Sequence, residues 1–91
     1  MAKIIIPTPL RKLTGNEATF ETPASTVGEV LRELTAKFPD LRSNIIDDNG
    51  ELRSFVRIYL GNEDIKQLDN TLTEVNEDSV ISIIPAIAGG I

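Results

Sequence analysis

The chain has 91 residues, 41% of them hydrophobic and 25% charged, a size and balance that fit one small globular domain. It contains no cysteine and no histidine, which excludes thiol nucleophiles, disulfides, zinc-finger sites and the usual general base near neutral pH. A net charge of −5 repels phosphate backbones and argues against nucleic acid as a partner, and no apolar run approaches the roughly 18 residues of a membrane span.

Met1-Ala2-Lys3 leads straight into an apolar pattern without the h-region of a signal peptide, so a cytoplasmic protein is expected. Ala2 to Ile6 reads as a strand closed by Pro7, with Thr8-Pro9 as an irregular exit. Gly15-Asn16 signals a turn. Glu17 to Thr22 then alternates like a strand, with Ala18 and Phe20 on one side. Together these two strands predict a first hairpin.

The clearest helix opens at Pro23-Ala24-Ser25-Thr26. Val27, Val30, Leu31, Leu34 and Phe38 fall at helical spacing on one stripe. Thr26 and Glu29 match a capping box, with Ser25 as rival cap, and Glu33 and Lys37 are spaced for an i,i+4 ion pair. Pro39 is expected to stop this helix. Gly28, inside the first turn, has no rationale in the sequence.

Residues 40–54 read as a polar, turn-rich loop anchored by Leu41, Ile45 and Ile46, with Asn49-Gly50 as a tight turn. Phe55 to Leu60 predicts a strand ended by Gly61-Asn62. A short segment from Ile65 to Leu72 comes next, and Ser79 to Ile84 is the last strand, ended by Pro85. The order of strand, strand, helix, strand, short strand, strand implies an α+β fold, one mixed sheet against one main helix. The Ile- and Val-rich first and last strands should be central neighbours.

Period-2 alternation divides the strands between two faces. With Ile4, Ile6, Val56, Ile58, Leu60, Ile81 and Ile83 toward the helix, Lys3, Ile5, Phe55, Arg57, Tyr59, Val80, Ser82 and Ile84 point away. That set is unusually apolar for solvent, and an aromatic and an arginine within it suit a partner surface. Single exposed apolar residues are ordinary, and loop 40–54 is an alternative cover. Charge is uneven as well. Residues 44–91 carry nine acids against Arg53, Arg57 and Lys66, a field suited to steering toward a basic surface.

The chain closes on Pro85-Ala86-Ile87-Ala88-Gly89-Gly90-Ile91. Small residues ending in Gly-Gly pack little core and suit a narrow slot, and a carboxylate after Gly90 is the least hindered acyl group a polypeptide offers. Asp78-Ser79-Val80 and Ile83 through Gly90, together with Ile6-Pro7, Leu10-Arg11, Thr14-Gly15, Phe55-Val56-Arg57-Ile58-Tyr59 and Glu63-Asp64, resemble the ubiquitin-like sulfur carriers of the MoaD/ThiS family. The likeness is closest to the CysO-type carriers of cysteine biosynthesis and extends over nearly the whole chain.

That resemblance implies a ubiquitin-like β-grasp domain over residues 1–84 and a flexible tail over 85–91. It implies a carrier and not an enzyme. An E1-like enzyme would spend ATP to adenylate the carboxylate of Gly90, and sulfur transfer would give a thiocarboxylate. Pro85, Ala86, Ile87, Ala88 and Gly89 would be the recognised tail, and no cofactor is bound by the carrier itself. Further partners implied are a PLP-dependent cysteine synthase and a JAMM-type zinc metalloprotease. A sulfur held on the backbone terminus also needs no Cys. Ile91 departs from the pattern, since with it attached Gly90 is an internal carbonyl. The expectation is a precursor cleaved between Gly90 and Ile91, the rival a carrier no longer active. Alternatives are a ubiquitin-like modifier conjugated through Gly90, a carrier for molybdopterin, thiamin or tRNA thiolation, and an interaction domain with an inert tail.

Overall fold

The computed structural model describes residues 1–85, the last by its backbone alone. Five strands form one mixed sheet: β1 (Ala2–Ile5), β2 (Thr19–Thr22), β3 (Val56–Leu60), β4 (Glu63–Asp64) and β5 (Val80–Pro85). Their order is β2-β1-β5-β3-β4. β1 and β5 run parallel at the centre, pairing Lys3 with Val80, Ile4 with Ile81 and Ile5 with Ser82. The flanking pairings are antiparallel. A central parallel pair needs a long crossover, which the chain between β1 and β5 supplies.

The helix α1 (Val27–Lys37) lies on one face of this sheet. Its stripe of Val27, Val30, Leu31 and Leu34 is buried against Ile4, Ile6, Val56, Ile58, Ile81 and Ile83. The division of residues between faces is therefore the one that strand alternation predicts. The whole is an α+β, ubiquitin-like β-grasp fold. Pro85 is still within β5, opposite Val56, so the strand runs one residue beyond the Ile84 boundary expected from sequence.

Thr26 is the N-cap of α1, its Oγ1 accepting the Glu29 N–H at 3.2 Å. The return half of the box is shifted by one residue. Glu29 Oε1 accepts from the N–H of Ser25 at 2.9 Å and from its hydroxyl at 2.8 Å. Thr26 is thus the cap and Ser25 is not; Ser25 supplies the donors that the Glu29 carboxylate accepts. These Ser25 hydrogen bonds, first the backbone one, hold the Glu29 carboxyl below its ordinary value, with smaller help from Thr26 and Arg32.

Three expectations are corrected. Pro39 does not open a loop; it occupies the first turn of a second helix, α2 (Pro39–Ile45). Proline is favoured there because its missing N–H would have no partner anyway. Leu41 and Ile45, one turn apart, are both fully buried. Second, Thr8-Pro9 begins a 3₁₀ helix (Thr8–Leu13) that buries Leu10 and whose Arg11 Nε donates to the Ile6 carbonyl at 3.0 Å. Third, Glu33 and Lys37 make no ion pair. Glu33 accepts instead from the Thr22 hydroxyl, and the Lys37 ammonium sits 5.8 and 5.7 Å from the ring centres of Phe20 and Phe38. Those rings meet edge to face at 6.2 Å, so helix α1 is fastened to β2 by a cation–π cluster.

The segment between β4 and β5 contains two 3₁₀ helices, Ile65–Gln67 and Asn70–Leu72. The second explains Gly28. A Cβ at that position would lie 3.1 Å from the Thr71 carbonyl oxygen and 3.3 Å from its Cβ. Glycine permits this close backbone approach, which Val27 N–H to Thr73 carbonyl (2.9 Å) and Val75 N–H to Ser25 carbonyl (2.9 Å) consolidate.

Gly28→Val should destabilise by about 1–3 kcal/mol in urea unfolding, because its branches collide with backbone and not with a flexible side-chain end. Unchanged stability would contradict the close approach. Because the Glu29 carboxyl is depressed in the folded state, its charge contributes stability above the ordinary glutamate range, and that stability is lost as pH falls through the lowered value. The melting-temperature gap between wild type and Glu29→Gln should therefore be widest near neutral pH and close on acidification.

Candidate functional site: the open sheet face

Among the described residues, the sheet has one covered face and one open one. α2 packs on α1 and on the Thr8–Leu13 3₁₀ helix, so residues 39–54 lie on the helical side and do not cover the open face. This removes the cover that sequence reading offered as an alternative.

Register assembles the open face in rows. Ile5, Ser82 and Tyr59 lie directly across β1, β5 and β3. Ile84 pairs with Arg57 in the next row toward the end of β5, and Lys3 with Val80 in the row before. Phe55 immediately precedes Val56, the partner of Pro85, and so stands where the chain leaves the sheet. Ile5, Val80, Phe55 and Ile84 are 37%, 38%, 44% and 46% exposed, and Tyr59 is half-buried. The five residues expected at a partner surface, Ile5, Phe55, Arg57, Tyr59 and Ile84, thus share one side of the sheet, with Val80 beside them. Grouped in this way, exposed apolar side chains have the character of an interaction surface.

One flank is polar. Arg57 Nη1 donates to Asp64 Oδ2 at 3.3 Å, the one ion pair among the described residues. Asp64 arrives there because the Gly61-Asn62 turn, with Gly61 at φ +62°, brings β4 back along β3 and pairs Asp64 with Tyr59. Asp64 also caps the Ile65–Gln67 3₁₀ helix by accepting the Lys66 N–H at 2.9 Å. Strand alternation already places Ser82 on this face, and the register sets it between Ile5 and Tyr59. Sequence reading missed Asp64, which the hairpin signal at Gly61-Asn62 could have found.

Chemically this face can bind but has little with which to catalyse. Among the described residues no three Asp or Glu side chains gather as a metal site, and no helix is long and apolar enough to cross a membrane. The residues expected to form the recognised and processed tail, Ala86, Ile87, Ala88, Gly89, Gly90 and Ile91, lie outside the described residues. The structure does place the root of that segment: β5 delivers the chain beside Ile84, Arg57 and Phe55.

The sequence profile of the ThiS family matches residues 4–90. The Sulfur carrier protein CysO of Mycobacterium tuberculosis is 32% identical over 89 residues, covering 96% of each chain. The Small archaeal modifier protein 3 of Haloferax volcanii is 33% identical over 66 residues, 72% of this chain and 71% of that one. In structure, a chain of the Amycolatopsis orientalis BexX/CysO complex superposes with a TM-score of 0.88 at 28% identity, covering 99% of this chain and 100% of that chain.

The half-exposed Arg57 makes its ion pair a weak tie. A double-mutant cycle of Arg57→Ala and Asp64→Ala by chemical denaturation should give a coupling of about 1 kcal/mol or less, shrinking with added salt. A coupling several times larger would mean that the pair is a structural element and not a surface feature.

Proposed function

This chain belongs to the ThiS family, and we propose that it is a sulfur carrier of the CysO/ThiS/MoaD type, working in cysteine biosynthesis in the cytoplasm. The observation that carries this reading is the reach of the likeness. The family match runs through Gly90, and the relative named a sulfur carrier aligns over nearly all of both chains. Such proteins are carriers and not catalysts, which agrees with a chain lacking both Cys and His.

The chemistry begins with hydrolysis of the Gly90–Ile91 peptide bond, water supplying the hydroxyl that completes the Gly90 carboxylate. A JAMM-type zinc metalloprotease is the proposed agent. That carboxylate then attacks the α-phosphorus of ATP on an E1-like partner, and pyrophosphate leaves. A sulfide-level sulfur displaces AMP from the acyl carbon and leaves a thiocarboxylate. The carrier binds no cofactor in this scheme; ATP is consumed on the activating enzyme. Glycine at the reacting position leaves the acyl carbon open to nucleotide and sulfur donor in turn. The open face of Ile5, Phe55, Arg57, Tyr59 and Ile84 docks the activating enzyme, while Pro85, Ala86, Ile87, Ala88 and Gly89 enter its slot. The thiocarboxylate sulfur then attacks the β-carbon of an activated serine derivative on a PLP-dependent cysteine synthase, whose activating group leaves. Hydrolysis of the resulting carrier–cysteine link by the JAMM-type protease frees cysteine and restores the Gly90 carboxylate.

A second reading is supported by the likeness to the archaeal modifier: conjugation of Gly90 to a lysine of another protein. It shares the adenylation step, so the products decide. Intact mass after incubation with the protease, then with the E1-like enzyme, ATP and a sulfur source, should show loss of one Ile residue and then exchange of one oxygen for sulfur. Unchanged mass sinks the precursor scheme, and a ladder of protein conjugates replaces the carrier with the modifier. Gly90→Val in the trimmed chain should slow adenylate formation by about a hundredfold, since misplacing the acyl carbon by an ångström costs that much.

A further inference from the structure

On the helical side, away from the open sheet face, a groove of about 520 Å³ runs between the first half of α1, the loop after α2 and the two 3₁₀ helices of residues 65–72. Its size is in the range of real binding sites, about 300–1,000 Å³. Leu31, Ile46 and Leu52 line it with apolar surface, and Arg32, Arg42 and Lys66 line it with charge; Glu51 is its one carboxylate. Three of the chain's nine cations thus share one groove in a protein carrying fourteen acids. All three are exposed, and none is in an ion pair among the described residues. The local charge is opposite in sign to the net charge.

We propose that this groove binds an acidic peptide segment of a partner protein, one that seats aliphatic side chains on the half-buried Ile46 and Leu52 and spaces carboxylates to reach Arg32, Arg42 and Lys66. One feature favours a peptide over a compact anion such as phosphate. The cations come from three separate elements (α1, α2 and the Ile65–Gln67 3₁₀ helix), so they suit several dispersed charges. Gly50 adds no side chain to the lining, and nothing lies within 4 Å of where its Cβ would stand, which leaves room for a peptide backbone. The groove is independent of the carrier chemistry at Gly90, and its failure would leave that reading untouched.

The test is a nuclear magnetic resonance titration of the nitrogen-15-labelled full chain with a synthetic blocked peptide, Glu-Asp-Leu-Leu-Glu-Asp. Saturable shifts are expected at the amides of Gly28, Gly50, Leu52 and Thr71, weakening as salt is raised. The Gln-Asn-Leu-Leu-Gln-Asn peptide should bind at least about tenfold more weakly, as should the Arg32→Glu/Arg42→Glu/Lys66→Glu variant, whose amide dispersion reports its folding. Equal binding of the neutral peptide, no shifts at millimolar peptide, or shifts confined to Ile5, Val80 and Ile84 would each overturn the proposal. Concentration-dependent shifts at the groove without peptide would assign it to a second copy, and shifts on deleting residues 86–91 would assign it to the chain's own terminus. Either result also overturns it.

Discussion

The parallel pairing of β1 with β5 is the constraint on which everything else rests. It joins residues nearly eighty positions apart, so the chain must close its longest loop before this contact forms. The return is a pair of central strands whose inward residues, Ile4, Ile6, Ile81 and Ile83, are almost wholly buried under α1. Because side chains alternate with period two, a one-residue slip would carry Ile81 and Ile83 to the open face and bring Val80, Ser82 and Ile84 beneath the helix. The Ser82 hydroxyl would then face apolar neighbours without a defined partner. The hydrophobic pattern therefore fixes register, and register fixes which side chains face outward.

Elements whose stability is written in local spacing were legible in the sequence. α1 announces itself through five apolar residues at helical spacing and a cap, and β3 and β5 through alternation bounded by turns. α2 was not legible because Pro39 carries two opposite meanings. It terminates the helix before it and favours the first turn of a helix after it, and only the burial of both Leu41 and Ile45 decides for a second helix. Gly28 was opaque for a different reason. Its explanation is Thr71, forty-three positions further along, and no local rule reports a contact of that kind.

Side-chain partners were the least legible of all. Glu33 and Lys37 had ideal spacing for each other, yet each found a better partner on β2 or at the helix end. An exposed helical ion pair is worth only a few tenths of a kcal/mol. A threonine hydroxyl and a pair of aromatic rings brought close by tertiary packing easily outcompete it. At the candidate site the same logic worked in reverse. Strand alternation placed Ile5, Phe55, Arg57, Tyr59, Ser82 and Ile84 facing outward, but Asp64 became visible only when register set it beside Tyr59.

β5 is the element in which the core and the open face meet. Its inward residues hold the core, its outward residues Val80 and Ile84 belong to the open face, and its last residue pairs with Val56 where the chain leaves the sheet. A strand used on both faces cannot shift to suit one without disturbing the other. A partner docked on this face would meet Ile84, Arg57 and Phe55 in a geometry already set by Ile81 and Ile83 on the opposite side. Such preorganisation lowers the ordering cost of docking on the described face. The alternative, polar outward residues throughout β5, would leave the inward core of Ile81 and Ile83 intact and remove the apolar surface proposed to dock the activating enzyme.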